Sequence, residues 1–514
     1  MRTITTQLRP VALAIAFALA LLWPAAINGG PFWFPDTTNY IRSADAALVM
    51  VTGDRTEWSD RIVERRPNNA EAASAHSERG ASARTAASSS PRLVPTRPVL
   101  AGRSIYYGFL LYLPMLLAGP WAAALMQALV VSGVLTFCTV LVGRTVRLSP
   151  LWIGGVAAIL LFATPLPFYT GMLMPDVYSG LIVLVVGIAA VLWHRLSNLE
   201  RVTLVALAGA IASFHTSHVL ILGSIVLAAL ALSPFIGRWR GAAVIGAGGV
   251  AIAALAMTGF NVAVERTLGD PPMSPPFLSA RLTDGPAGIE YLDRHCRSDP
   301  TAFTLCRHRD RLPLDSNYFL WSKNEENGLF QLLPIEEQHA LVTEDRRFFF
   351  AVLLDDPTSF VSVAAQAALE LLTNFDLENY NYSDQLKRGI MDQYPPSIAP
   401  SVADSRAADG TMPVDATVAL SIASTAAAAV LLLGLGIGWA GGRLAIDREA
   451  GWLCVLLVLG VLANAAICGA LSGPHARYQM RLIWLLPYAA MVGVAAFTYA
   501  AGATARRAEA GAAA

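Results

Sequence analysis

The feature that most limits the fold of this chain is a series of long apolar runs. A membrane-spanning helix needs about 20 mostly apolar residues. About ten runs approach or reach that length, at residues 10–28, 120–143, 151–168, 175–193, 201–214, 217–236, 241–262, 414–440, 451–471 and 482–502. With 55% hydrophobic and 14% charged residues, the 514-residue chain is also too apolar for an ordinary soluble protein. The sequence therefore predicts an all-α polytopic membrane protein with about ten transmembrane helices.

The orientation follows from the basic residues in the short loops, which collect on the cytoplasmic side of a membrane. With ten spans, the basic clusters all fall on one side: Arg2 and Arg9; Arg144 and Arg147; His194, Arg195 and Arg201; Arg238 and Arg240; Arg443 and Arg448; Arg506 and Arg507. The first run follows basic residues as in a signal peptide, but it lacks a clean cleavage site, so we interpret it as a retained helix. We expect a protein of the cytoplasmic (inner) membrane with both termini in the cytoplasm.

The segment 105–118 is apolar but only about fourteen residues long before Gly119-Pro120, which is too short to span a bilayer. Counting it as a span would also place the basic clusters on both sides. It is interpreted as an interfacial or re-entrant helix.

The loops divide the chain into three predicted domains. Residues 1–262 form a membrane module of seven spans, 263–413 an extracytoplasmic domain of mixed structure, and 414–514 a second module of three spans. The first outer loop, 29–104, contains a stretch rich in Ala, Ser, Arg and Pro at 68–97, which we expect to be disordered. Within the outer domain, helices are predicted from Glu336 to Leu354 and from Asp356-Pro357 to about Phe375.

Two acidic residues follow prolines at the outer mouths of spans, in Pro35-Asp36 and Pro175-Asp176. A carboxylate at a partly dehydrated site can act as a general base or hold a divalent cation. The alternative is simple N-capping of the following helix, which is worth about 1 kcal/mol. For Asp36 we favour a functional role, because Asn39 and Tyr40 add polar groups beside an aromatic cluster; for Asp176 both interpretations stay open.

Two further outer loops carry polar residues. His215 and His218 lie between two short apolar runs, where buried polar groups tend to line a cavity, although an interfacial turn is the alternative. The loop before the last span contains His475, Arg477, Tyr478 and Arg481. Arginine suits phosphate recognition, and the alternative is contact with lipid headgroups. We favour phosphate binding for Arg477 and leave both open for Arg481.

Of five cysteines, Cys296 and Cys306 lie outside the spans, on the side predicted to be oxidising. A disulfide between them is the leading interpretation, and a zinc site with His295 and His308 is the alternative. The sequence contains no Walker loop, dinucleotide glycine fingerprint, G-x-S-x-G or H-E-x-x-H motif. Equal numbers of basic and acidic residues, 37 each, give no indication of a nucleic-acid partner.

In this order of features the chain resembles the GT-C superfamily of membrane glycosyltransferases, which includes protein O-mannosyltransferases and lipid A aminoarabinose transferases. The resemblance covers the architecture of most of the chain but little of its sequence. It depends on the 35–40 stretch, the segment from Arg103 to Pro114, the 174–176 stretch, the 215–218 turn and the 475–478 stretch.

The resemblance implies inverting transfer of a sugar from a polyprenyl-phosphate donor to a glycan, lipid or protein acceptor on the outer face. Asp36 would be the base, and Asp176 would orient the acceptor or a metal. Arg477, with a histidine of the 215–218 turn, would hold the lipid phosphate, and Tyr40, Arg103, His475, Tyr478 and Arg481 would complete the substrate site. Thr37 stands where many members carry a second acid, so a divalent cation stays an open alternative. A transporter, a lipid flippase and a lipid-linked glycan polymerase or ligase are the rival functions.

Overall fold

The computed structural model describes residues 2–54, 56–58, 103–146, 148–269 and 271–512. The stretch 68–97, for which we expect disorder, lies outside the described residues. The α-helices are α1 Arg2–Leu21, α2 Trp23–Asn28, α3 Pro35–Thr52, α4 Ile105–Val146, α5 Pro150–Phe162, α6 Leu166–Gly171, α7 Tyr178–Leu192, α8 Asn198–Phe214, α9 Thr216–Ala231, α10 Ser233–Ile236, α11 Arg240–Leu268, α12 Phe277–Asp284, α13 Pro286–His295, α14 Ser316–Trp321, α15 Ile335–Asp355, α16 Pro357–Thr373, α17 Asp384–Met391, α18 Ala399–Ala403, α19 Val414–Ala440, α20 Arg448–Leu471, α21 Ala476–Met480 and α22 Leu485–Ala512.

Seven helical segments of the described chain are long and apolar enough to cross a membrane, so the prediction of a multi-pass α-helical membrane protein is confirmed. They are Val11–Asn28, Ile105–Val146, Pro175–Arg195, Arg240–Thr267, Val414–Ala440, Arg448–Leu471 and Ala476–Ala500. An eighth is reached if α15 and α16, bent by 105°, count as one broken span. The predicted number of ten is not confirmed, because the other three runs form the shorter helices α5, α8 and α9, of 13, 17 and 16 residues.

Helix α4 is broken where the sequence separates an interfacial segment from a span. Ala118 has φ −148° and ψ 25°, and Gly119 has φ 75° and ψ −171°, a conformation that is essentially restricted to glycine. Pro120 follows directly and cannot donate a helical hydrogen bond. The 105–117 part is therefore a separate helical segment, as its length predicts.

The helix Pro175–Arg195 lies at the centre of the bundle. Its apolar window is 89% buried, against 22% for Arg240–Thr267 and 11% for Val414–Ala440. A helix that is apolar all round is suited to be surrounded by others. The peripheral helices instead expose apolar side chains such as Leu255 and Val430, as expected for surfaces that face lipid.

The region 263–413 divides between two apolar cores. Residues between Met273 and Val352 form a core of their own, whereas buried residues between Leu377 and Val414 pack with the main bundle. Its described residues form helices, turns and loops without a strand, so the mixed structure expected there is not found. Helices α15 and α16 agree with the predicted pair to within two residues, since proline and aspartate mark their boundaries.

Basic residues predicted to lie on one side of the membrane do meet at one end of the bundle. Glu449 at the start of α20 receives Arg195 Nε at 2.7 Å, His194 Nε2 at 3.0 Å and Arg238 Nη1 at 3.2 Å. Asp176 and Arg195 lie near opposite ends of one helical segment, roughly 30 Å apart at 1.5 Å per residue. The Asp176 end and the Glu449 end of the bundle are thus distinct.

Candidate functional site

The two Pro-Asp stretches are joined by a short parallel bridge between Phe32 and Met172. The Phe32 N–H donates to Gly171 O at 2.9 Å, and the Leu173 N–H donates to Phe32 O at 3.0 Å. Thr37 Oγ1 then donates to Leu173 O at 2.9 Å. These bonds bring the segments that lead into Asp36 and Asp176 side by side.

Asp36 lies in the first turn of α3 and forms an ion pair with Arg103, whose Nη2 is 2.7 Å from Asp36 Oδ2. The N-cap of α3 is Phe34, and the Asp36 side chain does not cap the helix. A helix N-terminus favours negative charge, and Arg103 supplies a positive partner at the head of α4. About a fifth of the Asp36 side chain remains exposed, so Arg103 holds the carboxylate in place while solvent can still reach it.

Asp176 also does not cap the helix that follows it, because its side chain binds Arg481 instead. Arg481 Nη1 lies 3.3 Å from Asp176 Oδ1, and Nη2 donates to Asn464 Oδ1 at 3.2 Å. The side chains of Asp176 and Arg481 are only 7% and 3% exposed. Charges this deeply buried must be paired to be tolerated, so the two positions depend on each other.

Arg477 is held mainly by aromatic rings rather than by a carboxylate. Its guanidinium carbon lies 4.4 Å from the ring centroid of Phe34 and 4.9 Å from that of Tyr478. Cation–π contacts of this kind stabilise an arginine without using up its hydrogen-bond donors. Arg477 Nη1 is buried and makes no hydrogen bond. Arg481 approaches the same Tyr478 ring at 5.2 Å, so two guanidinium groups contact one ring.

Tyr40 lies among these charged groups. Its side chain is fully buried, and its hydroxyl makes no hydrogen bond. The hydroxyl is within electrostatic range of Arg103, Asp36, Asp176 and Arg477. Burial raises the pKa of Tyr40 above its ordinary value, so it is a neutral hydroxyl group. A buried polar group without a partner costs about 1–3 kcal/mol, which marks a place where a ligand can supply the missing bond.

The two histidines predicted to bind substrate have different environments. His215 accepts the Ser217 N–H at 3.2 Å as the N-cap of α9, and it lies in electrostatic range of Arg103, Arg477 and Arg481. His218 is fully buried, with Nδ1 2.9 Å from Ile211 O and Nε2 3.1 Å from Ser179 Oγ. Both ring nitrogens of His218 thus have partners within the bundle, and a role of this residue in substrate binding stays a prediction.

His475 lies at the edge of the charged group. Its Nε2 is 3.4 Å from Asn317 Nδ2, and its ring is 5.6 Å from the ring of Tyr478. Burial, together with nearby Arg477, lowers the pKa of His475 below its ordinary value. At neutral pH the ring is uncharged and available as a hydrogen-bond acceptor.

Cys296 and Cys306 are joined by a disulfide, with sulfurs 2.04 Å apart. Of the histidines in the zinc alternative, His308 Nε2 lies 2.7 Å from Glu337 Oε2 and His295 stacks on Tyr291. Across the described ranges, no three His, Cys, Asp or Glu side chains are grouped so that they could hold a metal ion. Asp36 and Asp176 are each paired with an arginine.

Sequence reasoning missed two polar residues within apolar spans. The Gln127 amide donates to Thr170 O at 2.8 Å and Met172 O at 2.6 Å, and it accepts the Tyr107 hydroxyl at 2.6 Å. Asn464 orients Arg481 and also donates to Tyr478 O at 2.7 Å. Polar residues in membrane spans usually face the bundle interior, and this signal would have identified both.

An apolar cavity of about 520 Å³ lies between α19, α20 and α22. Its lining includes Leu432, Trp439, Val461, Leu462 and Ile483. Val461 is one helical turn from Asn464, and Ile483 is two residues from Arg481. The cavity lining therefore includes residues that are close in the chain to Asn464 and Arg481.

Comparisons with protein-family models, with curated proteins and with solved structures find no match for this chain.

Proposed function

We propose that this protein is an integral membrane glycosyltransferase that moves a sugar from a polyprenyl-phosphate donor to an acceptor on the outer face of the cytoplasmic membrane. The observation that carries the proposal is the meeting of two carboxylates and two arginines around Tyr40, with a third arginine, Arg481, paired to one of the carboxylates. Asp36, Arg103, Asp176, Arg477 and Arg481 come from four separated parts of the chain. A site that must place a base beside an anionic leaving group needs both kinds of charge in one place.

The donor phosphate is assigned to Arg477, with Arg481 beside it. Arg477 has a buried guanidinium nitrogen without a hydrogen-bond partner, and Tyr40 has a buried hydroxyl in the same condition. A phosphate oxygen would satisfy such donors, and charge-assisted bonds from arginine to phosphate are among the strong ones. The polyprenyl chain would extend from here into the 520 Å³ apolar cavity, whose lining suits an isoprenoid.

The proposed topology retains ten crossings. The shorter helices α5, α8 and α9 would complete the spans, since neighbouring helices and interfacial residues can accommodate short segments. The Glu449 end, which collects basic residues, is assigned to the cytoplasm together with both termini. The site and the 263–413 domain are assigned to the outer side, between membrane modules 1–262 and 414–514.

The proposed reaction needs a base and stabilisation of the leaving group. The Asp36 carboxylate takes the proton of the acceptor hydroxyl while the oxygen of that hydroxyl attacks the anomeric carbon of the donor sugar. The bond from that carbon to the phosphate oxygen breaks, polyprenyl phosphate leaves, and the configuration is inverted. Arg103 holds Asp36 through Oδ2, while Arg477 and Arg481 receive the negative charge that develops on the phosphate.

Asp36→Asn tests the assignment of the base. We expect this variant to lose transfer of a radiolabelled lipid-linked sugar by a factor of about 10² or more, because an amide cannot accept the proton. Membrane insertion should be retained, and the melting temperature should fall only in so far as Arg103 loses its charged partner. The matched control is Asp54→Asn, which changes an exposed aspartate just after the same helix and should retain activity.

Full activity in the Asp36→Asn variant would overturn the role of Asp36 as base. Movement of a labelled lipid-linked sugar across sealed vesicles, without any glycosylated product, would instead favour the transporter or flippase.

A further inference from the structure

The short helix α14 presents an aromatic face that the proposed reaction does not use. Phe319 and Leu320 are 0% and 4% exposed and pack inward, whereas Tyr318 and Trp321 are 41% and 39% exposed. The spacing of three residues places Tyr318 and Trp321 on one side of the helix. Asp315 caps the helix by accepting the N–H groups of residues 317 and 318 at 2.9 and 3.1 Å, which fixes the direction of this face.

Trp321 is separated from the candidate base by a single guanidinium group. The Arg103 guanidinium carbon lies 5.9 Å from the Trp321 ring centroid, and Arg103 Nη2 lies 2.7 Å from Asp36 Oδ2. Arg103 thus contacts both the Trp321 ring and the carboxylate proposed to accept the proton, so Trp321 borders the proposed site. A tryptophan that only anchors a protein in lipid would place its ring against headgroups and acyl chains instead.

Hydrogen-bonding groups surround the aromatic face. Asn317 lies on the same helix and approaches His475 Nε2 at 3.4 Å. The carboxylates of Asp284 and Asp315 lie within electrostatic range of His475. Flat exposed rings bordered by an amide, an imidazole and carboxylates match a sugar, whose C–H face packs on a ring while its hydroxyls bond to the polar edge.

We infer that Trp321, with Tyr318 and Asn317, forms the subsite for the acceptor, and that the acceptor is a carbohydrate. This inference depends on the proposed function, because it assigns the acceptor class of the same site. The sugar ring lies on the Trp321 face with one hydroxyl directed past Arg103 toward Asp36. Tyr318 extends the aromatic surface to the next residue of a glycan chain.

The test is a saturation-transfer NMR experiment on the purified full-length protein in detergent. The probes are D-mannose, D-glucose, D-galactose and L-arabinose, each alone at millimolar concentration. We expect saturation of the ring C–H protons of at least one sugar. Loss of the ring in Trp321→Ala should weaken that signal about fivefold or more, while Trp321→Phe, which keeps a stacking face, should preserve most of it.

The matched control is Phe350→Ala, which removes another exposed aromatic side chain, 56% exposed on α15, and should leave the signal unchanged. Tyr318→Ala is the second variant and should reduce the signal if Trp321→Ala does not fold. The inference is overturned if none of the four sugars is saturated. It is also overturned if the signal persists in a folded Trp321→Ala variant. If Trp321→Ala does not fold, persistence of the signal in Tyr318→Ala overturns it instead.

The same NMR signal separates this inference from the proposed function. Asp36→Asn should keep the sugar signal while losing transfer. If Asp36→Asn keeps full transfer activity but the sugar signal still needs Trp321, the assignment of the base fails and the subsite stands. If transfer is lost in Asp36→Asn but no sugar is saturated, the assignment of the base stands and the acceptor subsite is rejected.

Discussion

At the scale of single residues, we expect the loss of one partner from the buried pair of Asp176 and Arg481 to lower the free energy of unfolding most. Removing one partner leaves an uncompensated charge in a dehydrated place, which costs about 3–5 kcal/mol. We therefore expect Asp176→Asn to lower the free energy of unfolding by about that amount, and the double variant Asp176→Asn/Arg481→Gln to recover part of it. Unfolding in detergent, followed by temperature or denaturant, measures both.

The control for this prediction is Asp293→Asn. Asp293 pairs with Arg309 at 2.9 Å, but its side chain is 47% exposed, so solvent screens the pair and the loss of stability should be much smaller than for Asp176→Asn. Equal losses in Asp176→Asn and Asp293→Asn would contradict the argument from burial.

At the scale of elements, the contact between α3 and α4 positions Asp36 against Arg103. A Cβ atom on Gly108 would lie 2.2 Å from Tyr40 O and 3.2 Å from Ala44 Cβ, so the backbone of α3 would have to move. We expect Gly108→Ala to destabilise the protein by about 1–3 kcal/mol through overpacking. Transfer activity should fall about tenfold or more, since small displacements of a catalytic group are costly.

The matched control lies on the same helix. Gly133 has no neighbour within 4 Å of an added Cβ atom, so Gly133→Ala should be neutral or slightly stabilising, as alanine favours helices. Activity and melting temperature measured side by side test the pair. Retention of native activity in Gly108→Ala would show that the close contact does not set the geometry of the site.

At the scale of the whole molecule, Glu449 ties the C-terminal helices to the rest of the bundle. Its carboxylate receives His194, Arg195 and Arg238 at the end opposite Asp176. Glu449→Gln would leave Arg195 and Arg238 without their anion, and we expect a loss of about 1–3 kcal/mol, less than for Asp176 because the two guanidinium groups are partly exposed. The control is Glu265→Gln, which changes an exposed glutamate. Identical melting temperatures for Glu449→Gln and Glu265→Gln would show that the ion pairs of Glu449 do not stabilise the bundle.

The sequence predicted the elements of the site better than their partners. Proline before each acid, glycine and proline at 119 and 120, and the Asp356-Pro357 boundary are local signals, and the structure contains a helix start or a break at each of them. The hydrogen-bond partners of His218 could not be predicted from the sequence, because whether a polar side chain faces a cavity or bonds within a bundle depends on its neighbours. The predicted number of ten spans is not confirmed, since three of the apolar runs form helices of 13 to 17 residues and a run of apolar residues does not reveal where a helix ends.

What the sequence by itself determined is the membrane-spanning class of the protein, because an apolar run of sufficient length can be buried only in lipid or in other helices. It also determined where acids, arginines and histidines interrupt those runs. Only the tertiary structure decided that Asp36 pairs with Arg103 and Asp176 with Arg481, and that Tyr40 lies among them. These pairings join positions far apart in the chain, and the geometry of helix packing, rather than any local pattern, brings them together.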